Sequence, residues 1–170
     1  MSDRWQGDGA LVQFSERLTN SAAFGSLFRE GMDLVEETAA YLDGVGRTEA
    51  KALDRSASLT YATESMRLTT RLMQLASWLL LHRAVKEGEM TLTQANREKT
   101  KVKLSAADPG PVDMLEKLPQ ALQDLIARSM SLQSRVRRLD VTIHSPPPER
   151  SAIGNPLVPQ LNRLKAAFER

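Results

Sequence analysis

Cysteine is absent from the 170-residue chain and histidine occurs only twice, at His82 and His144. Without thiols there is no disulfide framework, no thiolate metal site and no cysteine nucleophile, which suits a reducing compartment. Aromatic residues make up 5% of the chain, which leaves little for stacking nucleic-acid bases. The longest apolar-looking run, Leu75 to Leu81, is seven residues with Ser77 inside it, whereas a spanning helix needs about 20. The N-terminus is acidic, and no basic segment leads into an apolar run. Neither a membrane span nor a secretory signal is therefore expected, and the cytoplasm is the expected location.

Charge is balanced in sum and polarised in sequence. The net value is +2, too small to imply nucleic-acid binding by itself. Residues 1–46 carry three basic and eight acidic side chains, whereas residues 128–170 carry eight basic and three acidic ones. Such opposite poles can attract within a protomer, between protomers, or toward charged partners.

What the chain does contain is helical periodicity. Ser21 is a candidate N-cap, after which Phe24, Leu27, Phe28, Leu34, Val35, Thr38, Ala39 and Leu42 repeat with helical spacing up to Gly44, read as a left-handed C-terminal residue. Val45–Thr48 reads as a tight connection, with Gly44-x-Gly46 a turn rather than a phosphate cradle because no strand precedes it. A second helix is expected from about Ala50 to Glu87, roughly 55 Å long, stopped by Gly88. On it Leu68, Leu72, Leu75 and Leu79 make one apolar strip, and Met66, Met73 and Leu80, at steps of seven, make another. Two apolar strips require two neighbours, one inside the protomer and one across a twofold axis, so a homodimer is expected. Between the strips, Thr63, Arg67, Arg71 and Gln74 are expected to stay available to water or a partner.

Thr91-Leu92-Thr93-Gln94 has the spacing of a capping box, so a short helix should restart there and run to about Lys101. Asp108-Pro109-Gly110-Pro111 is the strongest breaker. Beyond it Leu115, Leu118, Leu122, Leu125, Ser129, Leu132, Val136 and Leu139 alternate at steps of three and four, with Pro119 placed in the first turn of the main helix. A stripe so regular packs at shallow crossing angles. Ser145-Pro146-Pro147-Pro148 ends the folded part. The expected fold is all-α, three long helices in an antiparallel bundle with a short extra helix. The expected organisation is a disordered N-terminus over 1–11, the bundle over 12–142, and a flexible proline-rich and basic tail over 143–170.

No constellation for chemistry emerges. The residues three before His82 and His144 are Leu79 and Val141, so no Glu-x-x-His metal motif is present. His82 continues the leucine stripe and reads as a structural histidine, and His144, at the entrance to the prolines, as a solvated one. Glu36, Glu37, Glu64, Arg67 and Arg71 read as an interhelical polar layer between the first two long helices rather than an acid-base pair. No catalytic residue, cofactor or metal ligand is assigned. Lys99, Lys101 and Lys103, and the cluster Arg135, Arg137 and Arg138, could neutralise phosphates, yet cations near a helix end are ordinary dipole partners. In the tail, Leu157, Leu161, Leu164 and Phe168 fall on one helical face flanked by Arg163 and Lys165, the pattern of a helix-in-groove contact. The expected partner-binding residues are these six together with Arg137 and Arg138.

The segments FREGMDLVEETAAYLDG (Phe28 to Gly44) and YATESMRLTTRLMQLASWLLLHRAVKEGEMT (Tyr61 to Thr91) resemble signature blocks of the RcdA family, regulators of CtrA degradation in alphaproteobacteria, and SLQSRVRRLD (Ser131 to Asp140) is similar to that family's third-helix ending. The resemblance covers about Phe14 to Asp140. It implies a dimeric three-helix bundle without enzymatic activity that acts as an adaptor for the ClpXP protease. In that scheme a receiver-domain protein primes the protease, the RcdA-like protein docks on the primed complex, and substrates such as CtrA-type cell-cycle regulators are delivered directly or through a cyclic-di-GMP effector protein, with the tail contributing; recruitment to the cell pole is a separate expectation. The alternative reading is a nucleic-acid-associated or polar scaffold protein with a helical-bundle interaction surface.

Overall fold

A computed structural model describes residues 21–101 and 110–144. Six helices lie in them, α1 (Ala22–Asp43), α2 (Val45–Lys51), α3 (Arg55–Lys86), α4 (Leu92–Lys101), α5 (Val112–Leu115) and α6 (Gln120–His144), and no strand is found among the described residues. The expected all-α fold of three long helices is present as α1, α3 and α6.

Their ends are set by local chemistry. Ser21 Oγ accepts from Phe24 N at 3.2 Å and starts α1, and Asp54 Oδ1 accepts from Ala57 N at 2.8 Å and starts α3. At α4 the capping box closes both ways, Thr91 N to Gln94 Oε1 at 2.9 Å and Gln94 N to Thr91 Oγ1 at 3.1 Å. Pro119 sits just ahead of α6, its carbonyl accepting from Gln123 N at 3.1 Å, where its missing N–H costs nothing.

Two expectations about the first connection are corrected. Val45–Thr48 is not an open turn but the start of α2, and the long helix begins at Arg55 rather than near Ala50, because the Asp54 cap makes a better start than continuing through Ala52–Leu53. Gly44 has φ −113° and is not left-handed; Gly88, at φ 75°, is. Gly46 has a packing role, since a Cβ there would stand 2.6 Å from Tyr61 Oη and 2.7 Å from the Tyr41 carbonyl oxygen.

The chain direction follows from paired contacts. Arg128 reaches Glu37 and Arg135 reaches Glu30, so α6 is antiparallel to α1. Phe24 lies against Trp78 and Thr38 lines a cleft with Thr69, so α3 is antiparallel to α1 as well. Arg71 meets Ser129 and Trp78 meets Asp140, which makes α3 and α6 parallel to each other. Between the parallel α3 and α6 in the chain lie α4, packed on α3, and α5.

The core lies where the three stripes converge. Leu68, Leu75 and Leu79 of α3, Phe24 and Leu34 of α1, and Leu122, Leu132 and Val136 of α6 are all at most 1% exposed. Each such side chain contributes roughly 1.5–3 kcal/mol through burial. Helices α1 and α3 approach closely at Gly31, where a Cβ would stand 2.4 Å from Leu79 Cδ1.

Gly31→Val should therefore lower unfolding free energy by about 1–3 kcal/mol through overpacking. Gly25→Ala, at a site with nothing within 4 Å of the added carbon, should raise it by about 0.5–1 kcal/mol through helix propensity. Urea titration of the two variants beside the parent protein checks both signs.

Candidate functional site

The strip formed by Met66, Met73 and Leu80 is left largely exposed among the described residues. These side chains are 72%, 66% and 52% exposed, and Leu59, one heptad earlier, is 71% exposed. Large apolar groups repeated at seven-residue spacing form a continuous line along α3, unlike the isolated exposed leucines of an ordinary surface. Beside it a cleft of about 310 Å³ opens between α1 and α3, lined by Val35, Ala39 and Leu42 on one wall and Leu72, Met73 and Ala76 on the other. Among the described residues no helix is long and apolar enough to cross a membrane.

The polar residues between the strips behave differently from expectation. Arg71 is 1% exposed and donates through Nη1 to Ser129 Oγ at 2.9 Å, so it belongs to the α3–α6 interface rather than to solvent. Ser129 in turn donates to the Ile126 carbonyl at 2.7 Å. Glu64, 2% exposed, takes Arg67 Nη1 at 2.6 Å and the Gly110 amide at 3.2 Å on Oε1. It thereby pins the chain entering α5 onto α3. The expected layer between α1 and α3 does not form, because Glu37 faces α6 instead and Glu36 is exposed.

Arg128 grips Glu37 with both guanidinium nitrogens, at 2.8 and 2.7 Å, a bidentate geometry, and Arg135 bonds Glu30 one helical turn pair further on. The arginines hold both carboxyls below the usual carboxylate range by hydrogen bonding, against a partial desolvation that works the other way. These pairs are the polarised charge of the sequence meeting within one protomer. They also remove Arg135 from the basic cluster that a phosphate would need, leaving Arg137 and Arg138 on the exposed face. Lys99 is likewise engaged, with Asp140 Oδ2 at 2.7 Å. Leu157, Leu161, Arg163, Leu164, Lys165 and Phe168 lie outside the described residues, as do residues 1–11 and 145–170; Ile143 and His144, expected in the tail, belong instead to α6.

The structure also assembles a cluster that sequence reasoning missed. His82 is fully buried, stacked on the Trp78 indole at a centroid distance of 3.9 Å, with Nδ1 2.9 Å from the Trp78 carbonyl oxygen and Nε2 3.0 Å from His144 Nε2. Asp140 Oδ1 accepts from Trp78 Nε1 at 2.8 Å and stands 3.6 Å from His144 Nε2. His144 is thus not solvated, its side chain being 10% exposed. Burial pushes the His82 imidazole down to about 4 and lowers His144 as well, with Lys99 acting in the same direction on both rings. The available signal was a pair of i,i+4 spacings, Trp78 to His82 and Asp140 to His144, which place each pair on one helical face.

Comparisons with known proteins agree on one relationship. Residues 15–168 match the model of a family described as a protein of unknown function (DUF1465). The crystal structure of RcdA from Caulobacter crescentus CB15 is 51% identical in sequence, covers 75% of this chain and 96% of its own, and superposes with a TM-score of 0.62. A search of curated proteins gives no match.

Asp140 joins α6 to both Trp78 and Lys99, so Asp140→Ala should cost about 1–3 kcal/mol by leaving the buried indole N–H without an acceptor. Asp140→Asn, which keeps an oxygen for that N–H, should cost less. Chemical denaturation of both variants in the presence of a chelator measures the difference.

Proposed function

We propose, from the premise that this chain belongs to the RcdA (DUF1465) family, that it is a non-catalytic adaptor promoting regulated proteolysis of CtrA-type cell-cycle regulators by the ClpXP protease. The observation that carries this reading is the 51% identity to RcdA over 96% of that chain. The family is one of regulators of CtrA degradation, and that coarse role is common ground; the protease, its priming by a receiver-domain protein and the hand-over through a cyclic-di-GMP effector are the finer content of the proposal.

The side-chain chemistry supports a binding role. Ser129, the buried serine, is occupied by Arg71 and a carbonyl, and the carboxylates Glu30, Glu37, Glu64 and Asp140 each hold a cation. Groups so engaged fix helix register and are not poised for substrate. The bundle offers surfaces instead, with the apolar line on α3 presented for self-association and the segment Leu157, Leu161, Arg163, Leu164, Lys165 and Phe168 for cargo or protease, recruited where needed at the cell pole. A phosphate-binding reading is less well supported, since Arg128 and Arg135 are spent on α1.

A second copy of the chain is the occupant that suits the α3 line. Light scattering should give about twice the 18.9 kDa chain mass for the parent protein. Met66→Glu with Met73→Glu should restore the single-chain mass, because like charges would face each other across the twofold. A parent protein that runs as a single chain at tens of micromolar would remove the dimer.

In a reconstituted reaction with ClpXP, the primed receiver protein and a CtrA-type client, the full chain should accelerate ATP-dependent turnover. A chain truncated after Pro148 should lose most of that acceleration while keeping its helical circular dichroism. Equal turnover with and without the full chain would refute the adaptor reading; equal turnover by the truncated chain would refute the tail's part in it.

A further inference from the structure

We propose that His82, Asp140 and His144 form a binding site for one divalent transition-metal ion, with zinc the best match, clipping the C-terminal end of α3 to that of α6. Two imidazole nitrogens and one carboxylate oxygen are a ligand set that zinc accepts, with a fourth position left for solvent. The three ligand atoms lie within 4.8 Å of one another. In a tetrahedral site with zinc bonds of about 2.0–2.1 Å, neighbouring ligand atoms stand about 3.3 Å apart. The two separations of 3.0 Å between the rings and 3.6 Å from His144 to Asp140 bracket that value.

The surroundings are those of metal ligands. A carbonyl oxygen only accepts, so the Trp78 carbonyl fixes the His82 proton on Nδ1 and turns the Nε2 lone pair toward the cluster, the supporting contact that zinc-bound histidines commonly make. Without metal, His144 Nε2–H must therefore be the donor to His82 Nε2. On binding, that proton moves to His144 Nδ1 and both Nε2 lone pairs face the ion, with no net change in protonation. Asp140 is oriented by the Trp78 indole on Oδ1 and by Lys99 on Oδ2, and Oδ1 keeps a second lone pair for the metal. His144 ends α6, so the ion would brace the point from which residues 145–170 continue.

The composition makes the test sharp, because the chain has two histidines and no cysteine. Untagged full-length protein, stripped with a chelator and dialysed, is titrated with zinc chloride and followed by proton–nitrogen correlation of the imidazole rings and by competition with a chromogenic zinc indicator. One zinc per chain is expected, with the Nε2 resonances of both rings shifting together and the thermal midpoint rising. His144→Ala and Asp140→Asn, each checked for retained helicity, should weaken zinc by at least about tenfold, the loss that removing even a supporting partner causes. Zinc binding that moves one ring or neither in the parent protein, or that is unchanged in both variants, would overturn the site. So would the absence of binding at equimolar zinc. Because only metal binding is read, failure here leaves the adaptor reading untouched, and failure of the adaptor reading leaves this site standing.

Discussion

One face of α3 carries the rest of the molecule. Leu68, Leu72, Leu75 and Leu79 are buried against both α1 and α6, and the same helix contacts α2, α4 and α5. With α1 antiparallel to it and α6 parallel, the stripes of all three helices converge on that face. The close approach at Gly31 and Leu79 sets how tightly α1 can lie on that face. A larger residue at position 31 would push the two helices apart along the whole seam, and Leu132 of α6, which also faces that point, would lose contact with them.

Polar groups decide how the helices register once burial has brought them together. Hydrophobic contact is tolerant of a one-turn slip, but the Arg71–Ser129 and Trp78–Asp140 bonds between α3 and α6 are not, nor are the paired Arg128–Glu37 and Arg135–Glu30 contacts between α1 and α6. The exposed ion pairs contribute little energy each, about 0.2–1 kcal/mol. Their value lies in direction, because a shift of α6 by one turn would place Arg128 and Arg135 beside different neighbours. The buried Glu64 does the same for the entry to α5 by taking the Gly110 amide.

Helix positions were legible because each rests on local rules. Ser21, Asp54, the Thr91–Gln94 box, Gly88 and Pro119 are start and stop signals readable within four residues, although Asp54 was overlooked and α2 with it. The leucine stripe of α6 and both strips of α3 were legible for the same reason, and so was the mismatch between two strips and one core. What could not be read was which residue faces which helix. Glu37 of α1, expected to face α3, pairs instead with Arg128 of α6, and Arg71, expected to stay available to water or a partner or to join a layer with α1, is buried against Ser129 of α6. Those outcomes depend on α3 and α6 being parallel, a global property of the fold. The His82–Asp140–His144 cluster joins residues about 60 positions apart, as the 62-residue separation of its two rings shows, and its local hint was two i,i+4 pairs that are unremarkable taken singly.

The second α3 strip then poses a definite geometric requirement. Leu59 to Leu80 spans about 32 Å of helix, a seam of heptad spacing that matches another long helix at a shallow crossing angle. Among the described residues only α1, α3 and α6 are long enough, and α1 and α6 already spend their apolar stripes on the opposite side of α3. In the proposed dimer the neighbour is α3 of a second protomer, whose own strip has the same period. Such pairing would cover the methionines, deepen the cleft beside Val35 and Leu42 into a groove shared by two chains, and leave Arg137 and Arg138 outward on each. In the proposed dimer the self-association surface would lie on one side of α3 and the charged face of α6 on the other. The two could then be occupied at once, as the proposed adaptor role requires.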